Sequence, residues 1–109
     1  MPRGKPGRRG DGGDTAVVTE KKSKTQKPKL WKVLLHNDDF TTMEFVLHVL
    51  EIVFNRPPAE AHELMLQVHH RGMCVAGVYT YEIAETKMNT VEQKARAAEF
   101  PFLSTMEPE

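Results

Sequence analysis

The sequence predicts a small α+β sandwich, three strands with three helices layered on one face, in the order β-α-α-β-α-β. Three observations carry that prediction. Short runs of large or β-branched apolar residues stand at 29–35, 73–80 and 102–106. Between them lie stretches whose apolar residues recur at helical spacing. At 109 residues the chain is long enough for one core and too short for two comfortable ones.

The first strand is Lys29-Leu30-Trp31-Lys32-Val33-Leu34-Leu35, and it ends where the polar run His36-Asn37-Asp38-Asp39 begins. Thr41 and Glu44 have the S/T-x-x-E spacing of a capping box, so Thr41 is expected to cap the next helix. From Thr42 to Phe54 the residues Met43, Val46, Leu47, Leu50 and Phe54 share one helical face. Asn55-Arg56-Pro57-Pro58 breaks that helix, and Pro58 suits the first turn of another, where a missing N–H does no harm. Ala61, Leu64, Met65 and Val68 give the second helix its apolar face, and Gly72 after Arg71 suits the C′ position. The two helices should form a hairpin. Met73 to Thr80 reads as the second strand, with Thr80 a candidate cap for the third helix. Ala84, Met88, Val91, Ala95 and Ala98 stripe that helix; Pro101 follows its end, and Phe102 to Met106 reads as the closing strand.

Residues 1–28 contain five of the seven glycines, three of the seven prolines and almost no large apolar side chain. Such a segment cannot offset the entropy of ordering, so 1–28 is expected to be a flexible basic tail and 29–109 the folded domain. The net charge of zero hides an asymmetry. Residues 1–28 carry eight Lys/Arg against three Asp/Glu, and 29–109 carry seven against twelve, so the tail is +5 and the body −5. The tail's charge invites a nucleic-acid reading, but it has no aromatic residue to stack on bases and the body repels phosphate; no nucleic-acid partner is expected. Cys74 is the one cysteine, which excludes an intrachain disulfide and fits a reducing compartment. No apolar stretch has membrane-spanning length and no secretory h-region opens the chain, so no membrane association and a cytoplasmic location are expected.

The run Asn37-Asp38-Asp39-Phe40-Thr41-Thr42-Met43-Glu44 sets an amide and two carboxylates on a strand-to-helix loop. Two readings stay open for it: turn chemistry, since Asn and Asp bond their own backbone, or a site for a small cation. An EF-hand is excluded by the missing Asp-x-Asp-x-Asp-Gly pattern. His69 and His70 end the second helix, where positive charge complements the helix dipole. Zinc held by His69, His70 and Cys74 with Asp38 or Asp39 lacks the usual ligand spacing, and no metal or cofactor is expected. A mid-strand Cys74 reads as a small hydrophobe rather than a nucleophile, and nothing else supports catalysis, so the protein is not expected to be an enzyme. Met43 follows the acidic loop and Met65 lies one turn before His69, which raises the prospect of an adaptable apolar wall beside a polar rim.

Asn37-Asp38-Asp39-Phe40-Thr41-Thr42-Met43-Glu44-Phe45-Val46, Leu64-Met65-Leu66-Gln67-Val68-His69, and Gly77-Val78-Tyr79-Thr80 with Glu82-Ile83-Ala84-Glu85-Thr86-Lys87 strongly resemble the ClpS family, from about Lys29 to Glu107. That family is a set of bacterial adaptors handing N-degron substrates to the Clp AAA+ protease, and its fold is a three-stranded antiparallel sheet with three helices. The resemblance implies recognition of a free α-amino group together with a first side chain of Leu, Phe, Tyr or Trp. It implies Asn37, Asp39 and His69 as ligands of the α-amino group, and Asp38 as a contact to the peptide backbone just beyond. Thr41, Met43, Val46, Met65 and Val68 would line the pocket, with Met43 excluding β-branched side chains and Phe102 at its border. Tyr79, Glu82 and Lys87 would dock a monomeric adaptor on the N-terminal domain of a ClpA-type unfoldase, and the tail would serve delivery. Thr42 stands where the family usually has Pro, and Phe102 where Leu is common. The rival reading is a regulatory module using the same cleft for another amine or peptide.

Overall fold

A computed structural model describes residues 27–109; the tail expected at 1–28 lies, but for its last two residues, outside the described residues. The elements follow the predicted order: β1 (Leu30–His36), α1 (Met43–Ile52), α2 (Pro58–Arg71), β2 (Met73–Thr80), α3 (Tyr81–Ala98) and β3 (Leu103–Pro108). β1 is the central strand, antiparallel to both neighbours, so the sheet order is β2-β1-β3. Central position explains its sequence. Val33 and Leu35 enter the main core, and Leu34, facing the other way by the pleat, is buried as well.

The register with β2 slips between Val33 and Leu34, whose partners are Gly77 and Val75. Ala76 is the extra residue of this bulge. Its carbonyl accepts a hydrogen bond from Arg56 Nε at 2.8 Å, so the α1–α2 connection is fastened to the irregular point of the strand. The chain reaches that position through Asn55, in left-handed backbone at φ 55°, a conformation Asn tolerates.

The core joins Val33 and Leu35 to Val46, Val49 and Leu50 of α1, Met65 and Val68 of α2, and Val91 of α3. The apolar face of α1 is wider than the predicted stripe: Val49 and Val53 are buried, whereas Met43 is exposed. α2 begins at Pro58 and ends on Gly72, as the sequence suggested. Thr80 precedes α3 in extended backbone, yet its side chain makes no capping bond.

The expected cap of α1 is corrected by one residue. Thr42 caps the helix, its Oγ1 accepting from Phe45 N–H at 3.1 Å. The hydroxyl of Thr41 instead donates to Asp38 Oδ2 at 2.7 Å, and the helix begins at Met43, one residue too late for Thr41 to be its cap. Phe102 is also placed differently from expectation. Its ring is buried and meets the edge of Phe45 at a centroid distance of 5.9 Å, making it part of the core rather than of the pocket lining.

Candidate functional site

β1 ends in His36, whose Nε2 lies 2.7 Å from Thr105 Oγ1 on β3. The next residue, Asn37, donates its N–H to the carbonyl of Gly72 at 2.8 Å. That bond sets the loop 37–42 against the last turn of α2. Gly72 makes it possible by adopting φ 94°, which turns the chain back while its own N–H bonds Val68 O at 2.9 Å. Two halves distant in sequence thereby share one junction.

A cavity of about 250 Å³ lies there. Asn37, Asp38 and Asp39 line it from the loop and His69 from α2, giving it polar groups on two sides. Met43 and Val46 of α1, with Met65 and Val68 of α2, give it an apolar wall, and Thr41 joins the two. Every predicted pocket and α-amino residue except Phe102 lines this one cavity. Val68 and Met65 are buried at its base, whereas Met43 and His69 are exposed.

Asp38 organises the loop. Its Oδ1 accepts from the N–H groups of Phe40 at 2.8 Å and Thr41 at 2.7 Å, and its Oδ2 from the Thr41 hydroxyl. Partial desolvation, the largest single influence, raises the carboxyl pKa, but the three bonds together outweigh it and leave the group below the usual value of 3.8. The loop is therefore anionic at neutral pH. Among the described residues no cluster of three or more His, Cys, Asp or Glu converges as a metal site requires. Cys74 is 1% exposed in the core, and burial pushes its thiol up to about 11 despite the opposing influence of Arg56, so it stays a protonated thiol at neutral pH.

The residues expected at a docking surface lie elsewhere, along β2 and α3. Lys87 Nζ donates to Val53 O at 2.6 Å, just past α1, and stands 5.5 Å above the centre of the Tyr79 ring. Burial raises the Tyr79 phenol pKa, with Arg56 opposing, so it stays protonated at neutral pH. That ring lies over Gly77, where any Cβ would collide with it. Glu82 and Lys87 border a groove of about 530 Å³ that also takes in Ile52 and Ile83, 57% and 49% exposed. Neither isoleucine was singled out from the sequence; an apolar residue off the helical stripe was the available signal. No described helix is long and apolar enough to cross a membrane.

Comparison with known proteins places these features in a family. The family model described as ATP-dependent Clp protease adaptor protein ClpS matches residues 26–105. The chain is 58% identical over 93 residues to the ATP-dependent Clp protease adapter protein ClpS of Desulfatibacillum aliphaticivorans, covering 85% of this chain and 89% of that protein. Against the protein of the same description from Caulobacter vibrioides (strain NA1000 / CB15N) it is 51% identical over 107 residues, 98% of each. The structure of Agrobacterium tumefaciens ClpS2 bound to L-phenylalaninamide is similar at a TM-score of 0.73 and 41% identity, covering 76% of this chain and all of that one.

Proposed function

The chain belongs to the ClpS family of Clp protease adaptors, and on that premise we propose that it binds substrates through a free α-amino group and a bulky first side chain, Leu, Phe, Tyr or Trp, and delivers them to a ClpA-type unfoldase without catalysing a reaction itself. The observation that carries this reading is the single cavity with acceptors on two sides and an apolar wall between them. Asn37, Asp39 and His69 hold the ammonium group; acceptors suit it, since a free α-amino group has pKa about 8 and is mostly protonated at neutral pH. Asp38 offers the remaining acceptor capacity of its Oδ2 to the next peptide N–H. Met43, Val46, Met65 and Val68 enclose the side chain, and Met43, at the first position of α1, screens its shape. The relative bound to L-phenylalaninamide supports the assignment, because that molecule carries both a free amine and a benzyl group.

Tyr79, Glu82 and Lys87 form part of the surface for the unfoldase's N-terminal domain, with Ile52 and Ile83 as apolar anchors; the groove beside them supports this. The adaptor domain spans 29–109 and works as a cytoplasmic monomer, and residues 1–28 contribute to delivery rather than to docking. The test is fluorescence anisotropy with peptides differing only in the first residue. Leu, Phe, Tyr and Trp should bind and Ile, Val and Ala should not, and acetylating the Leu-first peptide should abolish binding by removing the charge and leaving acceptors unpaired. Unchanged affinity after acetylation would refute the site.

A further inference from the structure

We infer that Asp38 and Thr41 form a clamp that positions the α-amino-binding loop, so that Thr41 contributes to recognition through its hydroxyl rather than through its place in the pocket wall. The inference rests on the binding site proposed above. Asp38 Oδ1 accepts two backbone N–H groups, those of Phe40 and Thr41, and Oδ2 accepts the Thr41 hydroxyl. Asp39 and Phe40 are thus enclosed in a ring whose ends are fastened to each other. The segment just before is fastened too, through Asn37 N–H to Gly72 O. The segment just after is fixed by Thr42, which caps α1. Asp39 accordingly sits in a stretch held at three successive points, and Met43 begins the helix directly beyond it. A guest ammonium group meets a loop that has already given up its conformational freedom, which lowers the ordering cost of binding.

The chemistry of the side chain separates this role from that of a wall residue. Thr41→Val keeps the shape and the methyl but puts a second methyl in place of the hydroxyl, leaving Asp38 Oδ2 without its partner. Thr41→Ser keeps the donor and loses one methyl. A wall residue predicts that Ser binds more weakly than Val; the clamp predicts the reverse order.

The experiment measures both variants, in the full chain, by anisotropy with a Leu-first peptide, and checks folding by thermal unfolding. Thr41→Val should lose roughly tenfold or more in affinity, the lower end of the range for a hydrogen bond to a charged group, while Thr41→Ser stays within about threefold of wild type. Val equal to or tighter than Ser would overturn the clamp. The second measurement is amide hydrogen exchange of Phe40 and Thr41, which should quicken in Asp38→Ala and Thr41→Val but not in Thr41→Ser. No change in exchange in Asp38→Ala would equally overturn it. Should wild type bind no Leu-first peptide, the binding-site reading falls, and the exchange measurement still decides the clamp.

Discussion

Replacing Gly72 by alanine tests the junction on which the site is built. Gly72 holds φ 94° and ψ −19° at the end of α2, and its surroundings offer open space: a Cβ there meets nothing within 4 Å. The cost is therefore backbone strain alone. An L-residue in left-handed backbone costs roughly 1–2 kcal/mol, and the reduced freedom of the unfolded chain returns about 0.4–1 kcal/mol when Gly is replaced. A net loss of about 1 kcal/mol should lower the thermal midpoint by about 4–8 °C for a domain of this size. The effect on binding should be larger than stability alone implies, because Gly72 O receives Asn37 N–H and the last turn carries His69. D-alanine introduced by semisynthesis takes positive φ without strain, so it should restore both the midpoint and the affinity. Thermal unfolding and anisotropy on the same samples make the comparison. An L-alanine variant as stable as wild type, or a D-alanine variant no better than the L form, would refute the reasoning.

Asp38 should make the fold acid-sensitive. Its folded pKa is depressed, so its stabilisation is fully present above the ordinary carboxylate range and is lost as pH falls through the lower folded value; denaturant titrations from pH 5 to 2 should therefore show a steeper loss in wild type than in Asp38→Asn. Thr42→Ala should cost about 1 kcal/mol by removing the α1 cap, seen as a lower urea midpoint at unchanged slope. Cys74, buried with its thiol pushed up to about 11, should react with a thiol reagent at neutral pH only as fast as the protein opens, a rate that denaturant raises.

The elements were legible because periodicity, Pro58 and Gly72 each act through local chemistry. β1 stood out through Val33-Leu34-Leu35, an unbroken apolar run of the kind a stretch buried on both faces shows. What stayed hidden was competition between neighbours. Thr41 and Thr42 are equally good caps by type, and what separates them is the loop path, which turns the Thr41 hydroxyl to Asp38 and starts α1 at Met43. Phe102 was placed at the pocket through resemblance; its burial against Phe45 depends on how β3 crosses the sheet, which no local pattern encodes. The Arg56 bond to the Ala76 carbonyl and the Lys87 bond past the end of α1 join partners far apart in sequence, and long basic side chains carry no signal of which carbonyl they will reach.

The division of labour at the cavity follows from how its parts are held. The apolar wall comes from α1 and α2, whose buried faces already belong to the core, so its shape is as stable as the fold. The polar side comes from a loop and the exposed end of α2, and the bonds of Asp38 to Thr41 and of Asn37 to Gly72 tie that loop down. Burying a Leu or Phe side chain gains about 1.5–3 kcal/mol, and each hydrogen bond to the charged amine a similar amount. Association costs on the order of 4–15 kcal/mol. On the function proposed above, the apolar side alone falls short of that cost and the hydrogen bonds alone reach only its lower part, so both sides should have to be filled at once. On that proposal a guest with the right side chain and a blocked amine, or a free amine and a small side chain, should fall short, with selectivity arising from the conjunction rather than from the strength of either half.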